Sequence, residues 1–115
     1  MKITKDVISH AYELLRHCEP FNKWNLPEPE DVQFKVAKSK SCYGWHSARA
    51  STKHIIAISN NLLSSIPFLI AVVAHEMIHM HMSHSHITDT SEHGPAFKAF
   101  AAQVCKIHHF DPKAF

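Results

Sequence analysis

Residues 75–79, His75-Glu76-Met77-Ile78-His79, read H-E-x-x-H and close an apolar run that begins at Ile66. Four residues is close to one helical turn, so His75 and His79 lie on one face of a helix. Two imidazole nitrogens placed that way can share one Zn²⁺. Glu76 then stands beside the metal without binding it, where its carboxylate can take a proton from an attacking water. An otherwise apolar helix that carries two imidazoles and a carboxylate strands polar groups unless they have a partner, and a metal ion is the economical one. The spacing therefore predicts a buried helix whose polar residues form a zinc centre.

Zinc in a catalytic site needs a third protein ligand and leaves its fourth position to water. His81, His84, His86, Glu92 and His93 are the candidates downstream. His81 follows His79 by two residues and so points off the ligand face. The metzincin spacing H-E-x-x-H-x-x-G-x-x-H fails, because Met82 stands at the Gly position and Ser85 at the third His position. Glu92 can serve as a downstream carboxylate ligand. His93 is better placed, since it precedes a helix start at Gly94-Pro95 that can pack across the first helix. His81, His84 and His86 read as solvated loop histidines.

The chain reads as one domain, 1–115. Its 115 residues, 45% apolar and 19% charged, suit a single-core soluble globular protein, and 2 Gly with 6 Pro exclude a low-complexity chain. Thr4 to Cys18 has the three-to-four apolar spacing of an amphipathic helix, capped by Thr4 or Asp6. Pro20, Pro27 and Pro29 make Glu19 to Asp31 a loop, pinned by Phe21, Trp24 and Leu26. Val32 to Lys38 alternates as a strand. Cys42 to Ala50 is expected to pair with it, and His54 to Ser59 is a third, more buried strand. Asn60-Asn61 begins a turn or short helix. Ser65-Ile66-Pro67 starts the central helix, which runs to about Met82, and His84 to Ser91 is a loop. The last helix opens at Gly94-Pro95, carries Ala96, Phe97, Phe100, Ala101, Val104 and Ile107 as its stripe, and ends by Asp111-Pro112.

Cys18, Cys42 and Cys105 are an odd count with no C-x-x-C, which argues against a disulfide framework and favours a reducing compartment. The N-terminus lacks the apolar segment of a secretory signal, and Ile66 to Ala74 is too short to span a bilayer, so a cytosolic location without a membrane partner is expected. Between Val32 and Asn60 there are five positive residues, Lys35, Lys38, Lys40, Arg49 and Lys53, and no Asp or Glu. With Tyr43 and Trp45 among them, this stretch would suit a surface that tracks a nucleic-acid backbone and stacks bases.

Tyr43-Gly44-Trp45, Ile56-Ala57-Ile58-Ser59, His75 to His79 and His93-Gly94-Pro95-Ala96-Phe97 occur in the order found in SprT-like metallopeptidases, which the chain resembles from about Thr4 to Phe110. The resemblance implies an α+β, zincin-like fold. It comprises an N-terminal helix, a small three-stranded sheet, the H-E-x-x-H helix and a C-terminal helix. It implies His75, His79 and His93 as zinc ligands and Glu76 as general base in peptide-bond hydrolysis. It implies a protein or peptide substrate, with DNA-bound or DNA-crosslinked proteins as the natural class. The DNA-contacting residues would be Lys35, Lys38, Lys40, Trp45, Arg49 and Lys53. Tyr43 and His46 read as strand packing or surface. Two other readings use the same residues: a zinc hydrolase of a non-peptide amide, and a non-catalytic, zinc-stabilised, DNA-associated binding module.

Overall fold

The computed structural model of this chain describes residues 2–49, 53–60 and 65–115, without the side chains of Arg49 and Ala114. Helix α1 spans Lys5–Arg16 and begins where the Thr4 hydroxyl accepts a hydrogen bond from the Val7 amide at 3.2 Å. Its apolar stripe of Ile8, Ala11, Tyr12 and Leu15 is buried, as the spacing requires. The following loop carries short 3₁₀ turns at Phe21–Lys23 and Pro29–Asp31. Phe21 and Leu26 are buried and Trp24 packs on the core, so these three residues do hold the loop down. The Tyr12 hydroxyl donates to the Pro27 carbonyl at 2.6 Å and adds a polar anchor.

Strands β1 (Val32–Ala37), β2 (Gly44–Arg49) and β3 (Lys53–Ser59) form one sheet in the order β1-β3-β2. Strand β1 runs parallel to β3, and β2 runs antiparallel to it. This corrects the expected pairing of β2 with β1. The physical reason lies in composition. Ile56, Ala57, Ile58 and Ser59 are all buried, which suits the central strand with a neighbour on each side, whereas β2 carries Trp45, His46, Ser47 and Arg49 and suits an edge. The β1–β2 connection crosses the end of β3. There the Ser59 amide donates to the Tyr43 carbonyl at 2.7 Å, and the Ser59 hydroxyl donates to the Ser39 carbonyl at 2.6 Å. The proposed turn at Asn60-Asn61 lies partly outside the described residues.

Helix α2 (Ile66–His84) starts at Ser65, whose hydroxyl accepts from the Phe68 amide, with Pro67 in the first turn. It extends one residue pair past the expected end at Met82. Leu69, Ala71, Val72, Val73, Ala74, Met77, Ile78 and Met80 are buried, so apolar side chains point to all sides. Its 19 residues are long and apolar enough to cross a membrane, yet α1, the sheet and α3 pack around it and make it the core helix. Helix α3 (Pro95–His108) buries Phe97, Ala101, Val104 and Cys105. His109, in the left-handed conformation at φ 60°, stops it before Asp111-Pro112 is reached. The three cysteines are free thiols.

Gly44 sets how closely β2 lies against its neighbours. A Cβ there would meet the Ala57 carbonyl oxygen at 2.7 Å, Ile58 Cδ1 at 3.0 Å and Val72 Cγ1 at 3.4 Å. The first contact is backbone and cannot rotate away. Gly44→Ala is expected to cost about 1–3 kcal/mol in urea unfolding, whereas exposed Ser47→Ala changes stability by about 0.5 kcal/mol or less. Equal stability of the two variants would show that β2 has room to shift.

Candidate metal centre

His75 and His79 stand one turn apart on α2, and His93 comes from the residue pair before α3. The Nε2 atom of His93 lies 3.1 Å from Nε2 of His75 and 3.2 Å from Nε2 of His79. Each pair of ring centres is 5.0 Å apart. Among the described residues, this is the only group of three or more metal-ligating side chains whose donor atoms gather within 4.8 Å of one another. Three neutral imidazoles cannot all satisfy their converging nitrogens by hydrogen bonds to each other, because each Nε2 is either a donor or a lone pair and never both. The donor set therefore fits a cation, and imidazole suits zinc, copper, iron and nickel. Burial first, then His79 and His93, pushes His75 down to about 3. His79 is lowered by burial and by His93. Both rings are thus held neutral, with lone pairs available to a metal.

Phe97 explains why an aromatic residue follows His93 by four. Its ring centre lies 4.9 Å from His75, 4.5 Å from His79 and 4.8 Å from His93. One fully buried ring thus supports all three imidazoles. Asp89 fixes the third ligand from the other side. Its carboxylate accepts from the Phe97 amide at 2.9 Å, the Thr90 amide at 3.0 Å and the Ala96 amide at 3.4 Å. These bonds, chiefly that from Phe97, hold the Asp89 carboxyl below its usual range. Gly94 is needed here because a Cβ would collide with that carboxylate. Asp89 was not legible as a site residue: an aspartate six residues before a helix is an unremarkable loop residue until the loop folds back.

Glu76 is 5% exposed and shares with the three imidazoles a cleft of about 710 Å³ between β2 and α2. Burial, with a smaller contribution from Glu92, pushes it up to about 8. Glu92 lines the cleft but is outside the convergent ligand group. Tyr43 and His46 also line the cleft, so neither is mere outer surface. His46 Nε2 lies 2.9 Å from Nδ1 of His54, a 1% exposed histidine on β3 that sequence reasoning left as a strand residue. His81 and His84 are helical rather than loop residues. His81 is buried and stacks on Trp24 with ring centres 4.2 Å apart, which corrects its reading as a solvated histidine, whereas His86 is exposed.

The sheet register divides the basic stretch from the cleft. Phe34, Ile56 and His46 form a row facing the helices, with Phe34 against Tyr12 of α1, and Lys35, Ala57 and Trp45 form the adjacent row facing away. Lys53 shares that outer face, while exposed Lys38 and Lys40 lie in the connection after β1. Trp45 alone of the predicted nucleic-acid residues also lines the metal cleft. The Arg49 side chain lies outside the described residues.

The chain belongs to the SprT-like family, whose model matches residues 11–114. Comparison with curated proteins gives no match. The match covers the sheet, all of α2 and α3 and the second half of α1, and so includes every residue that lines the cleft of the histidine cluster.

Two expectations follow. Asp89→Ala should leave the three ligands in place but free the start of α3, weakening metal affinity about tenfold in a competition titration. An unchanged affinity would show that Phe97 packing alone positions His93. The second concerns pH. Burial, His54 and His79 push His46 down to about 4, and His54, His75 and His79 are lowered as well. In the unfolded chain these groups titrate near 6.5, so the unfolded state binds more protons below that pH. Their stabilisation is complete above 6.5 and is lost as pH falls toward 4. Glu76, raised, works the opposite way but is one group against five, since burial and His84 lower His81 as well. With chelator present, Tm should be roughly 5 °C lower at pH 5 than at pH 7. A flat profile would mean that these rings become solvated without metal.

Proposed function

We propose that this protein is a zinc-dependent peptidase that hydrolyses peptide bonds in protein substrates. The observation that carries the reading is Glu76, a buried carboxylate in the same cleft as three convergent imidazoles, next in sequence to one of them. His75, His79 and His93 would hold the ion. When bound, the ion supplies Lewis acidity toward the scissile carbonyl and makes a water molecule acidic enough to react near neutral pH. Glu76 accepts the proton of the attacking water and delivers it to the leaving amine. Its buried setting favours proton uptake near neutrality more than that of an ordinary exposed carboxylate.

Strand β2 supports a peptide substrate. It is a sheet edge, its other side is paired with β3, and residues from Gly44 to Ala48 line the cleft. An extended segment can add to that edge by main-chain hydrogen bonds, which read any sequence. A purely structural zinc site has four protein ligands as a rule, and this cluster has three. That count favours the enzyme over the zinc-stabilised binding module. A DNA-bound protein as substrate is supported by the outer sheet face, where Lys35 begins the row that ends at Trp45 and Lys53 lies further along the same face of β3. DNA held there would lie beside the cleft without occupying it.

Glu76→Gln should retain metal at the histidine triad and the native fold while cleavage of a histone, with or without single-stranded DNA, falls by about 10²–10⁴-fold. Cleavage at the wild-type rate by the metal-loaded variant would remove Glu76 from the mechanism.

A further inference from the structure

A second cleft, of about 1100 Å³, opens between the loop at residues 25–31, the first residues of β1 and β3, and the end of α2. His54 and His84 line it, together with Glu30 and Asp31. His54 is 1% exposed, and its Nε2 is buried without a hydrogen-bond partner. The Nδ1 atom of His84 is likewise buried without a partner. The two rings lie 5.7 Å apart, centre to centre, at an interplanar angle of 62°. An unpaired buried polar atom costs about 1–3 kcal/mol, and here two occur on adjacent rings.

The neighbouring ring of His46 meets only one of the two nitrogens of His54. His46 Nε2 meets His54 Nδ1 at 2.9 Å in a nearly parallel stack. If His54 Nδ1 carries the proton and donates it to His46, the buried Nε2 is left as a bare lone pair, whereas the other tautomer would bury an orphaned N–H. A lone pair on one imidazole nitrogen, with the opposite nitrogen tied to a second group, is the arrangement of a metal-ligating histidine. The separation agrees. An imidazole nitrogen sits about 2 Å from a bound zinc ion, so two rings sharing one ion have centres about 5–6 Å apart. In the triad of the same molecule the value is 5.0 Å.

We propose that His54 and His84 form a second site for a divalent transition-metal ion of the zinc class, outside the peptidase cleft. The two imidazoles are the protein ligands, water from the open cleft completes the coordination, and the carboxylates Glu28, Glu30 and Asp31 outnumber Lys53 among the charged residues that line the cleft. His46 is the positioning residue. Its ring stands between the two centres, lining the peptidase cleft while fixing the ring of His54. This site does not depend on the peptidase reading.

The test is stoichiometry on the untagged full chain, stripped with chelator, equilibrated with Zn²⁺ and counted by atomic emission. Wild type should bind two equivalents. His84→Ala should bind one, and the His75→Ala/His79→Ala double variant should also bind one, while Glu76→Gln keeps both. Nitrogen-15 shifts of the His54 and His84 rings in wild type should move with the second equivalent, which needs no variant to fold. One equivalent in wild type would overturn the proposal and leave the two nitrogens bridged by water. So would a second equivalent that survives in both His84→Ala and His54→Asn, since exposed histidines would then hold it. Loss of cleavage activity in Glu76→Gln with two equivalents retained separates this result from the fate of the peptidase reading.

Discussion

Helix α2 must do two incompatible things, and the rest of the fold resolves the conflict. It is the apolar centre of the core, with neighbours on every side, and it also presents His75, Glu76 and His79 toward one cleft. Buried polar groups in such a helix are tolerated only where partners are supplied. Strand β2 and the start of α3 supply them by leaving a gap of limited size rather than closing over α2. Gly44 lets β2 approach without filling the gap. Phe97 fills the apolar side beneath the imidazoles, so that the nitrogens, and not the ring carbons, face the opening. The chemistry of the cleft is a product of where packing stops.

What could be read from the chain alone was what local geometry determines. The i, i+4 relation of His75 and His79 needs only a helix, and the caps at Thr4 and Ser65 are encoded within three residues. His93 was identifiable because Gly94-Pro95 marks a helix start, although its convergence with α2 is a tertiary event. Strand order was misjudged because pairing is non-local, and adjacency in sequence favoured β2 beside β1. The buried run Ile56 to Ser59 put β3 in the centre instead. His81 was misread for the same kind of reason: its partner Trp24 lies on a proline-bounded loop more than fifty residues earlier, and no periodicity reports that stack. Asp89, His46 and His54 share this character. Each acts through contacts that exist only once separate elements have met.

The histidines sort into groups by what their second nitrogen does. In the triad the Nε2 atoms converge. In the His46–His54 pair one ring orients another. His81 is held by stacking. The abundance of histidine in this chain, 12 of 115 residues, is thus not one property but several, and only the position of each ring in the fold assigns its role. The proposed second centre belongs to this pattern, because it uses the one nitrogen of His54 that the sheet leaves uncommitted.

The ligand set also joins α2, across a loop, to the residues just before α3, with His79 and His93 separated by 14 positions. An ion held by both would act as a reversible crosslink across that loop, closing it as a covalent staple would and restricting the unfolded chain more than the folded one. Binding energy spent on the ion would then appear as mechanical attachment of α3 to the core. Metal supply in the surrounding medium would set how long the 80–92 segment, the last turn of α2 and the loop after it, resists opening and hence how readily the protein is itself digested.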